Sequence, residues 1–182
     1  MTISTTLGAA FALVLGAALV MQPAAQAQRG GGLRCQVFLT QARIPDGLSE
    51  RALIGFARGH RAARMAETGE QNLQERTWLS NAVFSFNRPP GDLEFHALFY
   101  DVTDGPRTFI REMSVFVSDR TQRTVLHRIR LPRPTFRPNR RIEMVVTVQR
   151  QEVGSTRFII DGEEVRHSGQ VDFSDEEARQ RD

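Results

Sequence analysis

Lysine is absent from this 182-residue chain; all 24 basic side chains are arginine. That excludes a Schiff-base lysine, a lysine general base and a P-loop. Cysteine occurs once, at Cys35, so no intramolecular disulfide can form. The residues before it, Gly32-Leu33-Arg34, lack the small residue that a lipidation signal places next to its cysteine. Cys35 opens an expected strand, which suits a small buried hydrophobe; an intermolecular disulfide is the other use of a lone thiol. His60, His96, His127 and His167 show no H-x-H or HExxH spacing, so no metal site and no cofactor is expected. His127 alternates with Val125 and Ile129, as a core histidine does. G-x-S-x-G and a Gly-rich phosphate loop are missing, and no carboxylate spacing marks a general acid and base. Asp101-Val102-Thr103-Asp104-Gly105 has calcium-loop residues without calcium-loop spacing, and reads as a strand-to-strand turn.

Charge is also missing from the start of the chain, where no ionisable side chain precedes Arg29. Leu7 to Met21 is an apolar run, shorter than the about 20 residues of a membrane span. Pro23 breaks it, and Ala25-Gln26-Ala27 supplies a signal-peptidase site. The n-region lacks Lys and Arg, which leaves an uncleaved anchor as the competing reading. The expectation is a signal peptide over 1–27, cut between Ala27 and Gln28, and a periplasmic or secreted protein with no transmembrane span after cleavage. Nucleic acid is then not an expected partner.

Removing the leader leaves about one domain's length, enough to bury a core without disulfides. Residues 28–33 read as a flexible Gly-rich lead, 34–161 as the domain, and 162–182 as an acidic, disordered tail. Cys35 to Thr40 reads as a strand and Ile44-Pro45-Asp46-Gly47 as a turn. Leu48, Ala52, Leu53, Phe56 and Ala57 recur at helical spacing, predicting a helix near 49–58 that either stops at Gly59 or continues toward Gly69. Gly55 and Gly59 allow close packing on a sheet or simply weaken the helix.

From Thr77 the period becomes two. Trp78, Ser80, Ala82, Phe84 and Phe86 share one face of a strand. Leu93, Phe95, Ala97 and Phe99 share the next, and Phe109, Met113, Val115 and Val117 a third. Val125, His127, Ile129 and Leu131 form a fourth, then Ile142, Met144, Val146 and Val148 a fifth. A turn near Gly154 leads to a last strand with Phe158 and Ile160. This is the signature of an antiparallel β-sandwich of about seven strands, with one helix inserted between the first two. The stretch from Leu131 through the prolines to Val148, then Val153-Gly154 and Arg157 to Ile160, resembles the closing strands of bacterial immunoglobulin-like or fibronectin-III-like domains. The antibody cysteine pair and tyrosine corner are absent. The resemblance implies architecture and no particular activity.

Arginine gives the one distinctive charge pattern. Arg120, Arg123, Arg128, Arg130, Arg133, Arg137, Arg140 and Arg141 occur with no acidic residue among them. Such a patch suits an anionic polymer or an acidic protein. Two other readings stand beside it: a solvated sheet face, or a surface covered by the chain's own acidic tail. The expected function is that of a non-enzymatic envelope interaction or assembly protein. The alternative is a carbohydrate- or envelope-polymer-binding module using Trp78 and Tyr100 as a ring platform, although Trp78 is in phase with the core residues Phe84 and Phe86.

Overall fold

The computed structural model describes residues 32–164. The expected export segment and its cleavage site, the lead before Gly32 and the tail from Val165 onward lie outside the described residues. The elements run β1 Cys35–Thr40, α1 Glu50–Gly59, β2 Arg64–Ala66, β3 Thr77–Phe86, β4 Glu94–Asp101, β5 Thr108–Phe116, β6 Thr124–Pro132, β7 Arg140–Val148 and β8 Gln151–Asp161.

They form two sheets, ordered β1-β3-β6 and β2-β8-β7-β4-β5. Setting β2 aside, lettering the strands A, B, C, C′, E, F and G puts A, B and E in one sheet and G, F, C and C′ in the other. That partition is the immunoglobulin-like one. The mainly β, immunoglobulin-like expectation therefore stands at the level of architecture. Its details need correction. There are eight strands among the described residues, and the five-stranded sheet is mixed, because β2 runs parallel to β8. The segment between β1 and the Trp78 strand holds β2 as well as the helix. β2 carries one buried side chain, Met65, too short a run for alternation to reveal.

Between the sheets Trp78, Phe84, Phe95, Phe99, Phe136, Ile142 and Met144 are almost fully buried. Phe84 and Phe86 each meet Phe95 edge-on, at 4.9 and 5.2 Å between centroids. Burial at about 25 cal/mol per Å² of apolar surface makes this layer the main stabilising contribution. Cys35 lies at its edge, 6% exposed, where burial pushes the thiol pKa up to about 12 against a lowering contact from the Ser85 backbone.

α1 is capped by Ser49, whose hydroxyl accepts the Ala52 N–H. It stops at His60, whose N–H returns to the Phe56 carbonyl while the ring stacks on Phe56 at 4.1 Å. The chain then binds β1 through Ala62 N–H to Leu39 carbonyl. Leu53, Ile54 and Ala57 pack on Phe38 and Val83, which point out of the three-stranded sheet. Gly55 is exposed and a Cβ there would meet nothing within 4 Å, so it serves no close packing. Gly55→Ala should therefore raise stability by about 0.5–1 kcal/mol, read as a higher denaturation midpoint with an unchanged slope.

Three expected strand details fail for local reasons. Leu93 precedes β4 and is 41% exposed. A bulge opposite Phe99 and Tyr100 shifts the phase of β5, turning Phe109 outward and Ile110 toward the core. The last turn lies at Gln149 and Arg150, both at positive φ, and joins Val148 to Gln151 as a two-residue hairpin. Gly154 lies instead inside β8. The described residues also include Gly162, Glu163 and Glu164, and the Glu163 N–H donates to Glu67.

Candidate functional site

The eight arginines singled out from the sequence do not form one surface. Arg133 is buried at the β6–β7 corner, 6% exposed in its side chain. There it pairs with Glu67, donates to the Glu163 carbonyl at 2.7 Å and lies 5.4 Å from the Trp78 ring centroid. Arg140 is held by Asp101 at 2.8 Å and Asp104 at 3.0 Å. Its guanidinium thus sits where a cation would have to lie in the 101–105 turn. Arg141 precedes inward-facing Ile142 and so projects from the outer face of the five-stranded sheet. Arg120 and Arg123 lie exposed in the loop before β6, and Arg137 is exposed in the corner after it.

Arg128 and Arg130 remain. β6 alternates inward Val125, Ile129 and Leu131 with outward Leu126, Arg128 and Arg130. Both arginines are exposed, and neither has an ion-pair partner among the described residues. They stand on the outer face of the three-stranded sheet, which the loop 41–48 partly overhangs. Gln41 fixes that loop by donating to the Ala66 and Leu79 carbonyls, at 2.8 and 3.1 Å, and by accepting the Ala66 N–H. Asn81 donates to the Ala42 carbonyl at 3.4 Å. Beneath the overhang is a groove of about 640 Å³. Ile44, Leu48, Leu53, Leu79 and Leu126 are its apolar lining, with Arg43, Arg128 and Asp46 beside them. A second hollow of about 450 Å³ continues past Leu79 and Arg128 to Arg130, Thr77 and Glu70.

Arg43, Arg128 and Arg130 therefore line the groove and hollow together with two carboxylates, Asp46 and Glu70. Glu70 is held below the ordinary carboxylate range, first by the Thr68 hydroxyl and its own backbone N–H, with Arg130 and Arg76 adding to them. Leu126 is 46% exposed, a large apolar side chain in solvent at the mouth of the groove. The alternation Leu126-x-Arg128-x-Arg130 is legible in the sequence. The contributions of Arg43 and Leu79 are not, because they reach the face from distant segments.

On the five-stranded sheet Arg107 and Arg157 are already paired. Glu143, on the outer face of the five-stranded sheet, is 3% exposed in its side chain and lies between Arg107 at 2.6 Å and Arg157 at 3.0 Å. Burial alone would raise its pKa, but the two guanidinium groups hold it below the ordinary range. On the same face Ser114, His96 and Glu112 have the residue types of a hydrolytic triad. Both contacts fall on one ring nitrogen, His96 Nδ1, at 3.5 Å from Ser114 Oγ and 2.8 Å from Glu112 Oε1, so no proton can pass through the ring between them. His127 is half-buried on the inward phase of β6, and His167 lies outside the described residues. Among the described residues no three His, Cys, Asp or Glu side chains are grouped to hold a metal ion. No helix there is long and apolar enough to cross a membrane.

The ring platform does not form. Trp78 is fully buried, its Nε1 donating to the Asp161 carbonyl at 2.8 Å. Tyr100 lies on the outer face of the opposite sheet, with Arg107 5.7 Å from its ring centroid.

No family model matches this chain, and no curated protein does. Among solved structures it is similar to an immunoglobulin-like protein from Pseudomonas aeruginosa. The identity is 10%, the match covers 71% of this chain and 97% of the other, and the TM-score is 0.36.

Proposed function

We propose that this chain is an exported, non-enzymatic binding protein of the cell envelope, and that it takes an anionic, carboxylate-bearing partner on the outer face of its three-stranded sheet. One observation carries the reading. Arg128 and Arg130 are left without an ion pair among the described residues, beside an apolar groove, while Arg76, Arg107, Arg133, Arg140 and Arg157 are matched to carboxylates. An arginine fork that is already paired adds little to binding a second anion; an unpaired one supplies charge-assisted, bidentate hydrogen bonds. Export rests on the apolar run from Leu7 to Met21 and the Ala25-Gln26-Ala27 site.

The surface is separable from net charge. Poly-glutamate should bind the full chain, and Arg128→Gln/Arg130→Gln should weaken that binding roughly tenfold at low salt, about 0.7 kcal/mol per arginine. The difference should fade toward 1 M salt, where screening acts over only about 3 Å. Arg120→Gln/Arg123→Gln removes the same charge from the loop and should leave affinity within about twofold. Calorimetry showing both double variants equally weakened would mean that the chain responds to net charge alone, and the reading would fall.

A further inference from the structure

β6 ends the three-stranded sheet, so one of its edges faces no neighbouring strand among the described residues. The register identifies the backbone groups on that edge. Phe86 N–H donates to the Arg123 carbonyl at 2.8 Å, and hydrogen-bonded positions alternate along an antiparallel pair. Positions 125, 127, 129 and 131 therefore turn their N–H and C=O toward β3, while Leu126, Arg128 and Arg130 turn theirs away. No hydrogen bond from a described residue reaches the N–H or C=O of these three. The edge closes at Thr124, whose carbonyl accepts from Gln122 Nε2 at 2.7 Å and whose hydroxyl donates to Glu50 Oε1 at 2.6 Å. The side chains of the same three residues line the outer face: Leu126 at the apolar groove, Arg128 between groove and hollow, Arg130 at the hollow.

An extended peptide laid along this edge would satisfy three N–H and three C=O groups at once. Its alternate side chains would stand beside Leu126, Arg128 and Arg130. Charge complementarity sets their chemistry: two carboxylates, two residues apart, beside the arginines, and an apolar side chain beside Leu126. We propose that the open edge of β6 docks an extended acidic segment of a partner protein as an added antiparallel strand. This inference rests on the arginine-face reading and specifies the partner's chemistry and its mode of binding. The same residues argue against a second copy of this chain, since two β6 edges paired antiparallel about Arg128 would place like charges directly opposite each other. A flexible polyanion needs the guanidinium groups alone; a strand needs the backbone too, and this difference is measurable.

The probes are the peptide Thr-Asp-Thr-Glu-Thr-Phe-Thr and the same sequence N-methylated along its hydrogen-bonding edge, which keeps every charge and removes the donors. The full chain is titrated with each and followed residue by residue by amide hydrogen exchange. Binding of the first peptide should slow exchange roughly tenfold or more at Leu126, Arg128 and Arg130, with Val125, His127 and Ile129 unchanged, since their amides already bond to β3. The N-methylated peptide should bind roughly tenfold more weakly, and Arg128→Gln/Arg130→Gln should weaken both. Equal binding of the two peptides with no new protection would overturn strand addition and leave the arginine face standing. Failure of both peptides and of poly-glutamate would remove both readings. Protection already present without peptide would also overturn the proposal. If it vanished in a chain ending at Glu164, the occupant would be this chain's own C-terminal residues; if it vanished on dilution, a second copy.

Discussion

Gly154→Ala should cost about 3 kcal/mol, lowering the melting temperature by roughly 10 °C. The cause is a contact between backbones. In β8, Gly154 faces the carbonyl of Cys35 in β1, and a Cβ built there would lie 2.0 Å from that oxygen and 2.9 Å from its carbon. No rotamer relieves such a clash, because the obstructing atoms belong to a strand fixed along its length by β3. Either β8 slides against β7, where a bulge already shifts the register between Val146 and Thr147, or the two sheets separate at this end. Gly55→Ala is the matched comparison: the same added methyl, in open space, with the opposite expected sign. Urea denaturation of the two variants side by side decides the matter. Equal midpoints would show that β8 does not approach β1 this closely.

Glu67→Gln should be about as damaging, near 3 kcal/mol at neutral pH. The Glu67 side chain is 10% exposed. Its carboxylate pairs with Arg133, accepts from Arg76 Nη1 at 3.0 Å and accepts the Glu163 N–H at 3.0 Å. Removing its charge would leave Arg133 buried beside Trp78 with no counter-charge, and Arg133 Nε already has no partner among the described residues. The pH dependence gives a second readout. Burial raises the Glu67 pKa, but the Glu163 N–H, Arg133 and Arg76 together bring it below the usual value. A lowered folded-state pKa contributes stability that is complete above the unfolded value, about 4.3, and is lost as pH falls through the folded one. The gap between wild type and Glu67→Gln should therefore be widest near neutral pH and narrow below about pH 4. A gap independent of pH would mean that the loss comes from packing rather than charge. The same network changes how the acidic tail must be tested. Glu163 belongs to this ion-pair cluster, Gly162 lies against it and Glu164 accepts from Asn139, so a deletion meant to remove the tail alone has to begin after Glu164.

Much of the sandwich is written in its side-chain alternation. Trp78, Phe84, Phe95, Phe99, Ile142 and Met144 all lie where a period of two puts them, since a strand buried on one face has little freedom in how it turns. What alternation misses depends on partners distant in the chain. β2 exists because Arg64 and Met65 meet Ile159 and Ile160, almost a hundred residues away. Phe109 reads as inward from the sequence because a bulge adds one residue without marking it in composition. The Gln149–Arg150 hairpin lacks the Asn-Gly or Gly signal that usually announces positive φ. At the site, the outward phase of Arg128 and Arg130 is readable. The loss of Arg133 and Arg140 to Glu67, Asp101 and Asp104 is not, because runs of like charge say nothing about which carboxylates fold against them.

Cys35 is shielded at the rim of the sandwich and far from its thiolate form at neutral pH. It therefore resists alkylation in the native molecule, and a thiol-reactive dye must wait for the fold to open. The protein thus contains its own stopwatch, with one reactive atom and no competing sulfhydryl, whose labelling kinetics report how often the two sheets part.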